Sequence, residues 1–302
     1  MTATHFDKIE YKGWKNCYRL SNGLIELVIT GDVGPRVIRF GFPGQDNEFF
    51  EDTPALGLTG GDAWRIYGGH RLWHAPEDPV RTYCPDNSPV AVGEAGGVVT
   101  VTQPTEPATG IQKEMVFTLD GDACISVEHR LTNRTPWPLE LAPWAISPMA
   151  AGGVGIVPLP ERGTHQANLQ PTGGLALWAY TDFADPRWTW GTKFILLRQQ
   201  PGNTTAQKVG SRCAADWVAY ARNGHLFVNH FQPDPAGDYP DLGSRVEVFT
   251  NENMLEVETI APYRRVEPGQ TVSHHERWTL FQDVPMPASD ADVEQHVLPR
   301  VR

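Results

Sequence analysis

Apolar and polar residues alternate with a period of two along much of this chain. Between Cys124 and Leu131 the apolar set Ile125, Val127 and Leu131 alternates with Ser126, Glu128 and Arg130, the pattern of a half-buried strand. His129 falls on the apolar side of that strand and reads as a core histidine. Two short runs over 17–30 fold about Ser21-Asn22-Gly23, where Asn-Gly tolerates the positive φ of a two-residue hairpin. A strand over 36–42 closes at Pro43-Gly44, and 45–66 reads as a glycine-rich loop. Further strands are predicted over 90–92, 98–103, 110–119, 123–133, 139–147, 155–158 and 175–180. The series continues over 193–198, 217–222, 226–232, 245–251, 254–262 and 271–281. The one helical pattern lies over 289–298, where Ser289 can cap with Asp292 three residues on. No repeat or linker divides the chain. The pattern predicts one all-β domain over 1–302, a large antiparallel two-sheet sandwich with its core at about 17–282. Residues 283–302 form a C-terminal extension carrying the short helix.

Chemistry-bearing residues concentrate in Gly68-Gly69-His70-Arg71-Leu72-Trp73-His74-Ala75-Pro76-Glu77. The paired glycines reach backbone angles closed to other residues, and Pro76 stops a regular element, so the stretch is predicted to be a corner lining a cleft. His70, His74 and Glu77 are spaced four and three apart, which would gather them as metal ligands on a helix. The glycines and Pro76 oppose a helix, and no metal is assigned. Arg71 beside Trp73 suits a neutral, hydroxyl-rich ligand: the guanidinium donates from a fixed fork and the indole offers an apolar platform. Arg36, after Gly34-Pro35, either serves the same cleft or pairs with one of the chain's acids.

Strand alternation over Met254–Pro262 puts Glu256 and Glu258 on one face, about 7 Å apart, with Leu255, Val257 and Thr259 on the other. In a cleft, mutual repulsion and burial would raise one of the two pKa values, as suits a general base. On an open surface the same pair would be an ordinary solvated face, and both readings fit the periodicity. His274 and His275 are neighbours in a strand and point to opposite faces, so they do not share an ion. Phosphate loops, dinucleotide fingerprints, Gly-x-Ser-x-Gly and His-Glu-x-x-His are all absent from the sequence.

Composition narrows the partners. With 36 Asp+Glu against 25 Lys+Arg, the chain has no basic field for nucleic acid or an anionic membrane. No run reaches the length of a membrane span, and 1–15 lack the apolar core of a signal peptide. The cysteines Cys17, Cys84, Cys124 and Cys213 are widely spaced, as suits reduced thiols, and the expected compartment is the cytoplasm. Ten tryptophans are present, and Trp64, Trp73, Trp137, Trp144, Trp188, Trp190 and Trp217 fall mostly in or beside predicted loops. Indoles so placed can stack on the C–H faces of a sugar or fill core corners.

The order of NGLIELVIT, GPRVIRFGFPG, GGHRLWHAPE, HRLTNRTPWPLELAPWAISPM, LEVETIAP and VEPGQTVSHHERWTLF resembles the galactose mutarotase-like proteins, within them the DUF4380-type branch. The resemblance covers most of 17–282 and is most specific at 68–77 and 254–281. It implies a β-supersandwich fold and a carbohydrate ligand. In aldose 1-epimerases of this kind a glutamate takes the anomeric hydroxyl proton while a histidine protonates the ring oxygen. Glu258, in Glu258-Thr259, is similar to the catalytic Glu-Thr pair, and His70 and Arg71 fall where the family places an early substrate-binding histidine and arginine. The family's mid-chain histidine has no counterpart: that region holds Trp144 and no imidazole, leaving His74 or His230 as stand-ins.

Three functions are therefore expected in descending order. The first is aldose 1-epimerase-like chemistry with Glu258 as base, His70 or His74 as acid, and Arg71, Trp73, Glu256, Arg36, Trp144 and His230 contacting the sugar. The second is sugar binding or sensing without catalysis. The third is a metal-assisted lyase or isomerase using His70, His74 and Glu77. The leading reading needs no cofactor and takes a small-molecule carbohydrate as partner.

Overall fold

Strand-forming runs punctuated by glycine and asparagine turns build two antiparallel sheets stacked face to face. The structure is a computed structural model and describes residues 4–212 and 215–301. Sheet one begins with β1 (His5–Tyr11), β2 (Trp14–Ser21), β3 (Glu26–Thr30), β4 (Arg36–Gly41) and β5 (His70–Ala75). The chain crosses to sheet two for β6 (Ala91–Ala95), β7 (Val98–Thr102), β8 (Ile111–Leu119) and β9 (Cys124–Asn133). It returns with β10 (Leu139–Ala150) beside β5, then places β11 (Val154–Pro158) in sheet two and β12 (Leu175–Leu177) at an edge of sheet one. β13 (Trp188–Trp190) and β14 (Phe194–Arg198) join sheet two, and β15 (Gln207–Ser211) joins sheet one. β16 (Trp217–Arg222) and β17 (His225–Phe231) extend sheet two before β18 (Val246–Thr250) and β19 (Met254–Ile260) complete the middle of sheet one. β20 (Arg264–Val266) pairs with β10, and β21 (Thr271–Phe281) lies between β17 and β9. The middle of sheet one runs β4-β5-β10-β19-β18-β15.

The expected all-β, antiparallel two-sheet architecture is observed, with one short C-terminal helical segment over 290–301. Ser289 caps that segment by accepting the Asp292 amide at 3.3 Å, and Val293 and Val297 are buried against sheet two. The main core fills the space between the sheets. There Phe40, Phe49, Phe227 and Trp278 pack with ring centroids 5.5 to 6.2 Å apart. Each such pair adds about 0.5–1.5 kcal/mol beyond its buried area.

The stretch expected as a corner is instead largely a strand, β5. Gly68 and Gly69, with φ of 93° and 67°, make the bend that leads into it. A Cβ on Gly69 would meet the Val37 carbonyl oxygen at 2.3 Å, so only glycine lets the chain come this close to β4. Pro76 follows the last residue of β5 and offers no amide to continue the ladder. Strands β1, β13, β15 and β20 were not anticipated, being short or poorly alternating.

Cys17, Cys84 and Cys124 are buried free thiols, and Cys213 lies outside the described residues. Among the described residues no helix is long and apolar enough to cross a membrane.

Candidate functional site

Strand register sets one polar row across the middle of sheet one. Arg36 on β4 pairs with Arg71 on β5, which pairs with Ile146 on β10. Ile146 pairs with Glu258 on β19, and Glu258 with Glu247 on β18. With strands roughly 4.8 Å apart, Arg71 and Glu258 start from backbones about 10 Å apart. In the next row Trp73 pairs with Trp144, and Trp144 with Ile260. All these side chains point away from sheet two, because their alternating neighbours Leu72, Leu255 and Val257 enter the main core.

The row is tightly wired. Arg71 Nη2 donates to Glu256 Oε1 at 2.9 Å, and its guanidinium lies 4.4 Å from the centre of the Trp73 ring. Trp64, Tyr83 and Trp144 surround Trp73 at 5.0 to 5.7 Å. Trp144 Nε1 donates to Glu258 Oε2 at 2.8 Å, and Lys208 Nζ reaches the same oxygen at 3.2 Å. Lys208, on β15, also lies 2.7 Å from Glu247 and sits between the rings of Trp144 and Trp178. Glu258 Oε1 and Arg71 Nε and Nη1 are buried with no hydrogen-bond partner among the described residues. A buried group left so costs about 1–3 kcal/mol, which a polyhydroxy ligand can recover.

Burial pushes the carboxyls of Glu258 and Glu247 up, Glu247 the further, while Lys208 works against the rise in both. Burial alone would lower Lys208, but Glu247 and Glu258 outweigh it and hold the ammonium above its ordinary value. The set is one firmly held cation between two buried carboxyls.

Of the residues expected in the cleft, Arg71, Trp73, Trp144, Glu256 and Glu258 are brought together. Arg36 shares their face, but both terminal nitrogens of its guanidinium are engaged: Nη1 donates to the carbonyls of Ile66 and Gly68, and Nη2 to Asp86. It braces the entry to β5. His70 and His74 do not join the group. Strand alternation sends both to the opposite side of β5, facing sheet two, so the expected pairing of Glu258 with either imidazole is not made. His74 is buried with its Nε2 unpartnered, and burial, with Lys113 and Arg81 nearby, lowers its pKa to about 3. Nor does His230 reach the face. It lies on β17 in sheet two, where Nε2 donates to the Val301 carbonyl at 3.0 Å. A surface cleft of about 1110 Å³ is lined there by Glu128, His230, His275 and Arg277, away from the Glu258 group.

The trio His70, His74 and Glu77 also fails to assemble, since Glu77 is exposed and accepts from Tyr83 at 2.5 Å. His70 instead meets His129 and Glu276 between the sheets, with one ligand-type atom of each within 4.8 Å of the others. Burial lowers both imidazoles, His70 well below its ordinary value and His129 to about 3. His129 is the core histidine that its strand face predicted.

Lys208 and Glu247 escaped sequence reasoning. Glu247 carried a usable signal, for Val246 and Val248 flank it as Leu255 and Val257 flank Glu256. Lys208 had none, sitting in a strand with no run of apolar partners.

The family described as "Domain of unknown function (DUF4380)" matches residues 71–281. No curated protein matches the chain. Among solved structures, a TPR-domain containing protein from Parabacteroides distasonis superposes with a TM-score of 0.58 at 13% identity, covering 90% of this chain. The chain spans about half of that protein, 48% of its length. A galactose mutarotase-like protein from Lactobacillus casei gives a TM-score of 0.55 at 9% identity, covering 88% of this chain and 100% of the other. A galactose mutarotase-like protein from Clostridium acetobutylicum gives 0.52 at 11% identity, covering 92% and 99%. At these identities the likeness establishes the fold.

Proposed function

This chain belongs to the DUF4380 family and has a galactose mutarotase-like fold, and from that premise we propose that its Glu258 face binds a free sugar and exchanges its anomers. The observation that carries the reading is the state of Glu258. One oxygen is anchored by Trp144 and Lys208, and the other is buried and unpartnered. A carboxylate so held is oriented, and its free lone pair is available to a substrate hydroxyl.

In this reading Oε1 of Glu258 takes the proton of the anomeric hydroxyl. The electron pair left on that oxygen forms the carbonyl as the bond from C1 to the ring oxygen breaks, and the ring oxygen takes up a proton. The open aldehyde turns about its C1–C2 bond and closes by the reverse steps. With His70 and His74 on the far side of the sheet, solvent water supplies the proton for the ring oxygen, and Lys208, which stays charged between Glu247 and Glu258, favours the ionised form of the Glu258 base. Arg71 directs its spare N–H groups at ring hydroxyls, and the indole of Trp73, with that of Trp64 tilted 58° to it, offers an apolar face.

A second reading, sugar binding without turnover, is favoured by one observation: no imidazole of the 68–77 stretch reaches Glu258. A titration of the full chain with neutral monosaccharides, followed by tryptophan fluorescence, tests what the two readings share. Both expect saturable binding, weakened about tenfold or more by Trp73→Ala through loss of a stacking platform. Absence of saturable binding across the panel sinks both. Anomer exchange no faster than in buffer, with binding intact, selects the second.

A further inference from the structure

We propose that His70, His129 and Glu276 form a buried divalent-metal site that ties the two sheets together. His70 stands on β5 of sheet one, whereas His129 and Glu276 stand on β9 and β21 of sheet two. Their converging atoms are His70 Nε2, His129 Nε2 and Glu276 Oε2, the two nitrogens 2.7 Å apart and the oxygen 3.9 and 3.7 Å from them. Two imidazoles and one carboxylate are a recurrent ligand set for Zn²⁺ and Co²⁺, with a fourth position for water.

The surroundings are those of a ligand set held for an ion. His70 Nδ1 lies 2.8 Å from Ser147 Oγ, and His129 Nδ1 lies 3.3 Å from the His274 carbonyl. With an ion bound, Nδ1–H can donate outward in both rings, to Ser147 and to the His274 carbonyl, leaving both Nε2 lone pairs to face the ion as in metal-bound histidines. Glu276 is fixed as firmly. Asn229 donates to Oε1 at 2.6 Å, Thr259 to the same oxygen at 2.5 Å, and Trp278 Nε1 to Oε2 at 2.9 Å.

Charge supplies the second argument. Glu276 is buried, and its ion-pair contacts among the described residues are His70 and His129. Buried carboxylates are ordinarily paired or bound to a metal, and an ion here would be held by Glu276 and the two imidazoles together. Without an ion the short Nε2–Nε2 contact is a hydrogen bond, formed with Ser147 donating to His70. An ion at about 2.0–2.1 Å from each nitrogen replaces that shared proton and parts the rings to roughly 3.3 Å. The site is closed to solvent, so the ion enters as the chain folds, and the site stands whether or not the sugar face is functional.

The test is elemental analysis of the full chain, produced in Zn²⁺-supplemented medium and purified without a metal-chelate column. The expected result is about one Zn²⁺ per chain, falling roughly tenfold in His129→Gln, which loses a ligand nitrogen. Wild-type chain holding no more zinc than His129→Gln overturns the proposal. Should that variant not fold, the wild-type chain grown with Co²⁺ decides. Intense visible bands of a four-coordinate site support the assignment, and weak octahedral bands or none overturn it.

Discussion

Trp144 on β10 hands its indole N–H to Glu258 on β19 at 2.8 Å, where the family resemblance would place a histidine in the same stretch of chain. The residue that stands where an acid was expected therefore bonds the proposed base instead. Its hydrogen bond favours the ionised carboxylate and opposes the rise that burial imposes on Glu258. Replacing Trp144 by Phe removes the donor and keeps an apolar ring, so the Glu258 pKa rises and less of it is ionised at a given pH. The acid limb of kcat/KM against pH should move up by roughly one unit. An unmoved limb, with activity retained, means that this bond does not set the base.

The same geometry explains what could be read beforehand. Glu256 and Glu258 declared a shared face because Leu255 and Val257 between them are plainly apolar, and alternation is unambiguous where only one face is polar. The opening stretch offered no such contrast. Every residue of β5 is buried, with His70 and His74 on one side and Arg71 on the other, so neither face looks like core. Sequence order also could not tell that His70 finds partners on sheet two, 59 and 206 residues further along the chain, in His129 and Glu276. Those contacts arise from the stacking of sheets, which local periodicity does not encode.

Lys208 ties Glu247 to Glu258, and removing it leaves two buried carboxyls without their cation. Lys208→Met should cost about 3–5 kcal/mol in stability, as for other broken buried pairs. Adding Glu247→Gln removes one of the stranded charges, so the double variant should be more stable than the sum of the single changes implies. Denaturant unfolding of the four proteins measures this coupling, and strict additivity would show that the three groups do not act as a unit.

His74 offers a pH test away from the sugar face. Its folded pKa is depressed to about 3 by burial first and by Lys113 and Arg81 second, against 6.5 in a model peptide. Between those values the unfolded chain binds the proton that the folded chain refuses, so stability is lost as pH falls below about 6.5. This one group contributes a slope of up to about 1.4 kcal/mol per pH unit. His74→Gln should flatten the acid side of the stability curve by that amount between about pH 6 and 4, measured by urea unfolding. An unchanged slope would mean that His74 is protonated, or equally buried, in both states.

Anomer interconversion followed by NMR, with the wild-type chain and Glu258→Gln, tests whether Glu258 is the base that exchanges sugar anomers. The wild-type chain should equilibrate a bound monosaccharide faster than buffer. Glu258→Gln should lose about 100-fold or more of that acceleration while still binding the sugar, because Gln keeps the shape and loses the base. Equal exchange rates for the two proteins at saturating sugar would contradict the assignment of Glu258 as the catalytic base.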